Sequence, residues 1–160
     1  MEQEFAGRRV VVMGGSRGIG RSTALLFAAR GAAVSICARG AGTLEETRRE
    51  IAALGGPAHA GVADLSREAD IVRYIPEAAA ALGGIDVLVN NASGFGMSDD
   101  EAGWAASLNV DVMAVVRASH AALPFLEASP RERGGGSIVN IASISAMRAS
   151  ARSAPYGAVK

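Results

Sequence analysis

Cysteine is nearly absent. The single one, Cys37, cannot form an internal disulfide and fits a reducing compartment. Charge of either sign is in no excess, since 16 Lys and Arg face 16 Asp and Glu. That balance removes the electrostatic argument for nucleic acid or an anionic membrane as partner. No uninterrupted apolar run is long enough to cross a bilayer. The opening Met1-Glu2-Gln3-Glu4-Phe5 lacks the basic and apolar parts of a signal peptide. A cytoplasmic protein is expected. The two histidines, His59 and His120, stand far apart without ligand-spaced partners, so no metal site is expected. Aromatics are scarce as well, with four Phe, two Tyr and one Trp. The core must then be built from Ala, Val, Ile and Leu, which permits close packing of helix on sheet.

What is present is patterned aliphatic chain. Hydrophobic residues make up 49% and charged residues 20% of 160, which suits one globular domain spanning residues 1–160. Five short aliphatic runs stand out, at Arg9–Met13, Ala33–Ala38, Ala58–Val62, Asp86–Asn90 and Ser137–Ala142. Most are near-continuous rather than alternating, as strands buried on both faces should be. Helical spacing fills the stretches Ile19–Ala29, Thr43–Leu54, Arg67–Leu82 and Asp99–Leu126. Gly31, Gly55 and Gly83 sit where C-caps belong. The segment Glu127–Gly136 reads as an exposed loop. Alternating strand and helix implies right-handed crossovers and an α/β, doubly wound parallel sheet of Rossmann-like type. The strand order expected is 3-2-1-4-5, with a crevice where the order reverses.

Directly after the first run comes Gly14-Gly15-Ser16-Arg17-Gly18-Ile19-Gly20, and then a helix. A pyrophosphate needs backbone N–H groups close by and a helix N-terminus aimed at it. Side chains would block that approach, which is a reason for glycine there. Gly14, Ser16, Arg17, Gly18, Ile19 and Gly20 are therefore candidate dinucleotide contacts. A tight strand-to-helix turn with no ligand is the plain alternative. The second run ends Cys37-Ala38-Arg39, without the acidic residue that would bond the ribose 2′-hydroxyl of NAD. Arg39 and Arg17 could instead flank a 2′-phosphate, which favours NADP (as NADPH) over NAD. Two solvated arginines on loop ends are the competing reading.

Six features in order resemble the short-chain dehydrogenase/reductase family and span essentially the whole chain. They are the Gly14…Gly18-Ile19-Gly20 turn, Asp64-Leu65, Asn90-Asn91-Ala92, Asn109, Ser143, and Tyr156-Gly157-Ala158-Val159-Lys160. The resemblance implies an oxidoreductase that interconverts a small carbonyl compound and an alcohol. Asp64 would bond the adenine amino group, Leu65 and Asn91 would adjoin the cofactor, and Asn90 would fix the fourth strand. Asn109 would hold a water in a proton relay to the lysine. The sequence departs from the family at Met13, where Thr is usual, and at Ser93, where Gly is usual. Family members also continue past the lysine, so the resemblance implies a domain truncated before its last strands and a homo-oligomer when full length. With a short helix carrying Tyr156 and the fifth strand an exposed apolar edge, the 160 residues alone are expected to be inactive. A non-catalytic NADP-binding module, an inactive fragment and another Rossmann-like class such as a methyltransferase remain as alternatives.

The chemistry follows from the residue types. Carbonyl reduction needs a hydride on carbon, which a nicotinamide supplies, and a proton on oxygen. A phenol such as Tyr156 can donate it, but an ordinary phenol titrates near 10. Lys160 lies four residues on, which in a helix is the same face. An ammonium there favours the phenolate. Ser143 can bond the substrate oxygen, with Ser145 as its competitor. Each of the four has a plain structural reading too: a packed aromatic, a solvated lysine, a capping serine and a polar residue in a helix. Cys37 reads as packing, Trp104 as packing the start of the long helix, and the Glu45-Glu46 and Arg48-Arg49 pairs as a solvated face. Met97, Met113 and Met147 read as filler, with Met147 a candidate for the substrate side.

Overall fold

All five aliphatic runs form strands, and they pair in parallel in the order β3-β2-β1-β4-β5. The strands are β1 Arg9–Met13, β2 Ala33–Ala38, β3 Ala58–Val62, β4 Val87–Asn90 and β5 Ser137–Asn140. The computed structural model describes residues 3–148 and 152–160. Met1 and Glu2, the start of the segment read above for a leader, lie outside them. The helices are α1 Gly18–Ala29, α2 Ala41–Ala53, α3 Glu68–Leu82, α4 Glu101–Ser107, α5 Ala114–Glu127 and α6 Ala154–Val159. No helix among the described residues is long and apolar enough to cross a membrane.

Alternation along each strand divides the core in two. Val10, Val12, Val34, Ile36, Val87 and Val89 face Ala24 and Ala28 of α1 and Leu44 and Ile51 of α2. Val11, Met13, Cys37 and Leu88 face α3 and α5. Both faces of β1, β2 and β4 are covered, which is why those strands read as unbroken apolar runs, whereas β3 is half-buried and β5, at the sheet edge, is exposed. The helices meet the sheet through small residues at four-residue spacing: Gly20, Ala24 and Ala28 on α1, and Ala114, Ala118 and Ala122 on α5. The scarcity of aromatics thus becomes close packing. The fully buried Tyr74 is the exception, and β3 makes room for it: a Cβ on Gly61 would lie 2.6 Å from its ring. Its hydroxyl bonds Ser35 Oγ at 2.7 Å.

Two segments differ from the sequence reading. The single helix expected over Asp99–Leu126 is three pieces: α4, a π-helical segment Leu108–Met113, and α5. The π-segment widens the turn, which shifts which residues face inward. The expected loop Glu127–Gly136 holds a 3₁₀ turn at Arg131–Arg133, and its Ser129 is buried rather than exposed.

Ser129 is buried because it serves Asp86, just before β4. Asp86 is fully buried, accepts from Arg9 Nη2 at 2.6 Å, Arg9 Nε at 2.9 Å and the Arg9 backbone N–H at 2.8 Å, and takes the Ser129 hydroxyl at 2.6 Å. Burial alone would raise its carboxyl. The Arg9 guanidinium and N–H together with the Ser129 hydroxyl outweigh that and hold it well below the usual carboxylate range. A depressed folded-state value contributes stability that is present above about pH 4, the unfolded carboxylate range, and lost as pH falls below it. Asp86→Ala leaves Arg9 half-desolvated and unpaired, so it should destabilise the fold by about 3–5 kcal/mol. Urea unfolding at pH 7 measures this, and the deficit relative to the parent should shrink toward pH 3.

Candidate active site

The crevice at the carboxyl ends of β1 and β4 is where the order of the sheet reverses. The glycine turn leaves β1 and is tied to both neighbours. Gly14 N–H and Gly15 N–H both donate to the Cys37 carbonyl, at 3.1 and 3.0 Å. Asn91 Nδ2 donates to the Gly14 carbonyl at 2.8 Å from the other side. A Cβ on Gly20 would collide with that carbonyl and that amide, so only glycine lets α1 come this close. Gly18 has φ +56° and faces open space, which leaves the backbone bare where a ligand would approach. No side chain caps α1 and its first turn holds no acid. Its leading N–H groups are thus left for an anion.

The neighbouring candidates fall around this turn with different exposures. Arg17 and Arg39 are exposed, and neither guanidinium makes a hydrogen bond or ion pair with a described residue. Ile19 is 65% exposed, and the half-buried Ser16 has its carbonyl held by Thr47 Oγ1 at 3.3 Å. Asp64 Oδ1 accepts from Ser66 N–H at 3.0 Å and Ser66 Oγ at 2.8 Å, which holds the carboxyl below its ordinary value, with Arg39 and Arg67 adding to it. The Leu65 side chain packs in the core, so only its backbone is left to adjoin a cofactor. Bare glycine backbone, uncapped helix start and two unpaired guanidinium groups fit the phosphates of a dinucleotide.

The opposite wall is built by the chain after β4. Asn90 Nδ2 bonds Asn140 Oδ1 at 2.9 Å across the β4–β5 pair, which fixes the two strand ends. The next residues run against α4. A Cβ on Gly94 or Gly96 would strike the carbonyls of Ala106 and Gly103. Between them Phe95 has φ +50°, the one non-glycine in the left-handed region among the described residues. Its exposed ring lies parallel to that of Tyr156, with centroids 6.0 Å apart. The Gly96 carbonyl accepts from Tyr156 N–H at 3.2 Å, which pins the start of α6.

The structure brings Ser143, Tyr156 and Lys160 to this side of the sheet on two short elements. Ser143 ends the segment after β5 and caps a 3₁₀ turn, its Oγ accepting from Ser145 N–H at 3.2 Å. Ser145 spends its N–H on that cap, and its carbonyl packs on Gly157. Tyr156 is half-buried on α6, and Lys160 Nζ stands 5.7 Å from its ring centroid.

Asn109 is not brought with them. It lies on the exposed face of the π-segment, and it does not line the cleft of about 300 Å³ beside Lys160. The residue that reaches Lys160 from this element is Asp111, two positions on, with Oδ1 at 2.9 Å from Nζ. Residues two apart in a helix are about 200° apart around it, so the two cannot share a face. That cleft is also lined by Asn90, Asn140 and Ile141, and by no residue of the glycine turn. Phe95 and Asp111 are the residues that sequence reasoning missed. Asp111 carried a signal, as the one acid in the run from Leu108 to Val116.

The remaining candidates are accounted for locally. Burial pushes the Cys37 thiol up to about 12, so it packs. Trp104 lies in α4 and donates to Asp99 Oδ1 at 2.9 Å. Arg48 and Arg49 pair with Glu45 on the surface of α2. Met147 is 84% exposed. Among the described residues no group of three His, Cys, Asp or Glu could hold a metal.

A profile of the short chain dehydrogenase family matches residues 8–160. The chain belongs to that family. It is 38% identical over 158 residues to a hexahydroindene-carboxyl-CoA reductase of Mycobacterium tuberculosis, covering 94% of this chain and 58% of that one. It superposes on a short chain dehydrogenase of Burkholderia cenocepacia in complex with NADP with TM-score 0.89 and 37% identity, covering 98% of this chain and 64% of that one. An NADH-dependent reductase complexed with NAD superposes with TM-score 0.90 at 26% identity, covering 100% and 69%. The chain spans less than two thirds of the curated relatives it matches first, at 35%, 58% and 60% of their lengths. Its sheet has five parallel strands in the order of a Rossmann-like fold.

The glycine turn gives a direct test. Gly20→Ala forces the turn away from Asn91, so NADPH affinity should fall at least about tenfold, the effect of losing one or two backbone phosphate contacts. Fluorescence titration of NADPH reads it, and unchanged affinity would place the cofactor elsewhere.

Proposed function

We propose that the chain is the cofactor-binding and acid–base part of an NADP(H)-dependent oxidoreductase that interconverts a carbonyl and an alcohol on a small molecule. The observation that carries this reading is that Tyr156 and Lys160 stand one helical turn apart, with Lys160 in the cleft lined by Asn90, Asn140 and Ile141 at the carboxyl ends of β4 and β5. A bound nicotinamide supplies or accepts the hydride. The chain's own residues handle the proton. The Tyr156 hydroxyl donates to the carbonyl oxygen during reduction and takes the proton back during oxidation. The Lys160 ammonium favours the anionic phenol. The Ser143 hydroxyl, its oxygen already oriented by Ser145 N–H, donates to the substrate oxygen and stabilises its developing charge.

Gly14, Ser16, Gly18, Ile19, Gly20 and Asn91 form the phosphate and backbone cradle in this reading, with Asp64 and the Leu65 backbone toward the adenine. Arg17 and Arg39, exposed and unpaired, select NADP over NAD by charge-assisted bonds to a 2′-phosphate. Likeness of fold does not choose between the cofactors, since one similar structure holds NADP and another NAD. Met113, Val116 and Leu123 are exposed at helical spacing along the start and length of α5. That stripe supports a homo-oligomer of the complete protein. The cytoplasmic reading rests on the lone buried thiol of Cys37.

Two measurements test the proposal in the complete protein. Tyr156→Phe keeps the ring against Phe95 and removes the proton donor. Turnover of NADPH with ketones should fall by about 10²-fold or more, while NADPH affinity changes little. Retained turnover would assign the acid to another group. Arg39→Asp should cut the preference for NADPH over NADH by about tenfold or more, as charge-assisted hydrogen bonds are lost. If calorimetric titration shows the preference intact, Arg17 is the selector.

A further inference from the structure

We propose that Asp111 is a positioning residue for the Tyr156–Lys160 pair, holding the Lys160 ammonium in place through a buried ion pair and offsetting its charge beside the phenol. This rests on the acid–base reading above and adds a residue to it.

Asp111 stands among Val110, Val112 and Met113, and its side chain is fully buried. A carboxylate in such a place is stable only if partnered. Its two oxygens are divided between two tasks. Oδ2 accepts from Gly94 N–H at 2.9 Å, and Oδ1 lies 2.9 Å from Lys160 Nζ, whose side chain is 8% exposed. Oδ1 makes no aligned hydrogen bond, so charge is what holds it. The ammonium also donates to the Ile141 carbonyl at 3.3 Å, at the end of β5. Lys160 is thus fixed between a strand end and a buried anion. Through Gly94 the same carboxylate anchors the loop that carries Phe95 against Tyr156.

Among the described residues Asp111 is the charged group in contact with Lys160, and Arg148 and Arg152 flank α6 in sequence. On α6 the titratable groups are Tyr156 and Lys160 themselves. From α4 come Asp100, which is spent on the Gly103 N–H, and Glu101, which is exposed. The 3₁₀ turn Ile144–Ala146 carries no charge. On α5, Arg117 pairs with Glu68 and His120 is exposed. A positive charge beside a phenol favours the phenolate, and a carboxylate touching that positive charge opposes it. Removing the Asp111 charge should therefore let the Lys160 ammonium act on the phenol undiminished.

The test uses the complete protein with NADP and an alcohol substrate. Asp111→Asn keeps an oxygen for Gly94 N–H and removes the charge. Its pH–rate profile for oxidation should move to lower pH by about one pH unit, while Asp111→Glu restores the parent profile. The ultraviolet phenolate absorbance, taken as a difference against Tyr156→Phe, should move the same way without any turnover. Asp111→Ser serves where the asparagine variant does not fold. A profile and a phenolate titration that stay put, or move to higher pH, in the neutral variants overturn the proposal. Full turnover by Tyr156→Phe would instead remove the acid–base reading beneath it, and the phenolate titration then decides the electrostatic claim alone.

Discussion

The crevice depends on the hydrogen bond from Asn91 Nδ2 to the Gly14 carbonyl. At the reversal point β1 and β4 are neighbours, yet the chain leaves them toward opposite faces of the sheet. Nothing covalent holds the two departing loops at a fixed separation. The amide does, and it requires Gly20 beneath it, because any side chain there would occupy the same space. Residues 14, 20 and 91 therefore form one unit. A hydrogen bond of this kind contributes about 1 kcal/mol to stability, but its larger effect is to fix where the bare backbone of Gly18 stands relative to the wall that carries Phe95.

Much of the fold was legible because burial on both faces leaves a plain mark. β1, β2 and β3 match their aliphatic runs to the residue, and glycines close α1, α2 and α3 with positive φ as expected. The glycine turn was legible for a related reason, since steric exclusion of side chains writes itself directly as Gly. Pairings at long range were not. Nothing local in Arg9, Asp86 and Ser129 links them, though 77 and 43 positions close into one buried cluster. Asp111 was not legible for a reason of angle: the π-segment, which determines which position turns inward, has no sequence mark. Phe95 was invisible because a left-handed aromatic has no sequence mark; only the loop's packing on α4 imposes it.

Two buried carboxylates frame β4, and their partners differ. Asp86 before the strand has every neighbour a donor, so its charge is fully satisfied and serves to clamp β1 to β4. Asp111, beyond the far end, meets a backbone N–H on one side and the Lys160 ammonium on the other. A buried ion pair is weak evidence of stabilisation in itself.

The burial of Cys37 has a practical side. Thiol reagents attack the thiolate, and a thiol held near 12 inside β2 offers almost none at neutral pH. Within this chain the native protein is silent toward maleimides and alkylating agents while folded. A cysteine engineered onto the crevice rim, at Ile19 or Phe95 where the side chains are exposed, would then be the sole reactive thiol of the chain, so a spin label or fluorophore could be attached at one known position without first removing the natural residue.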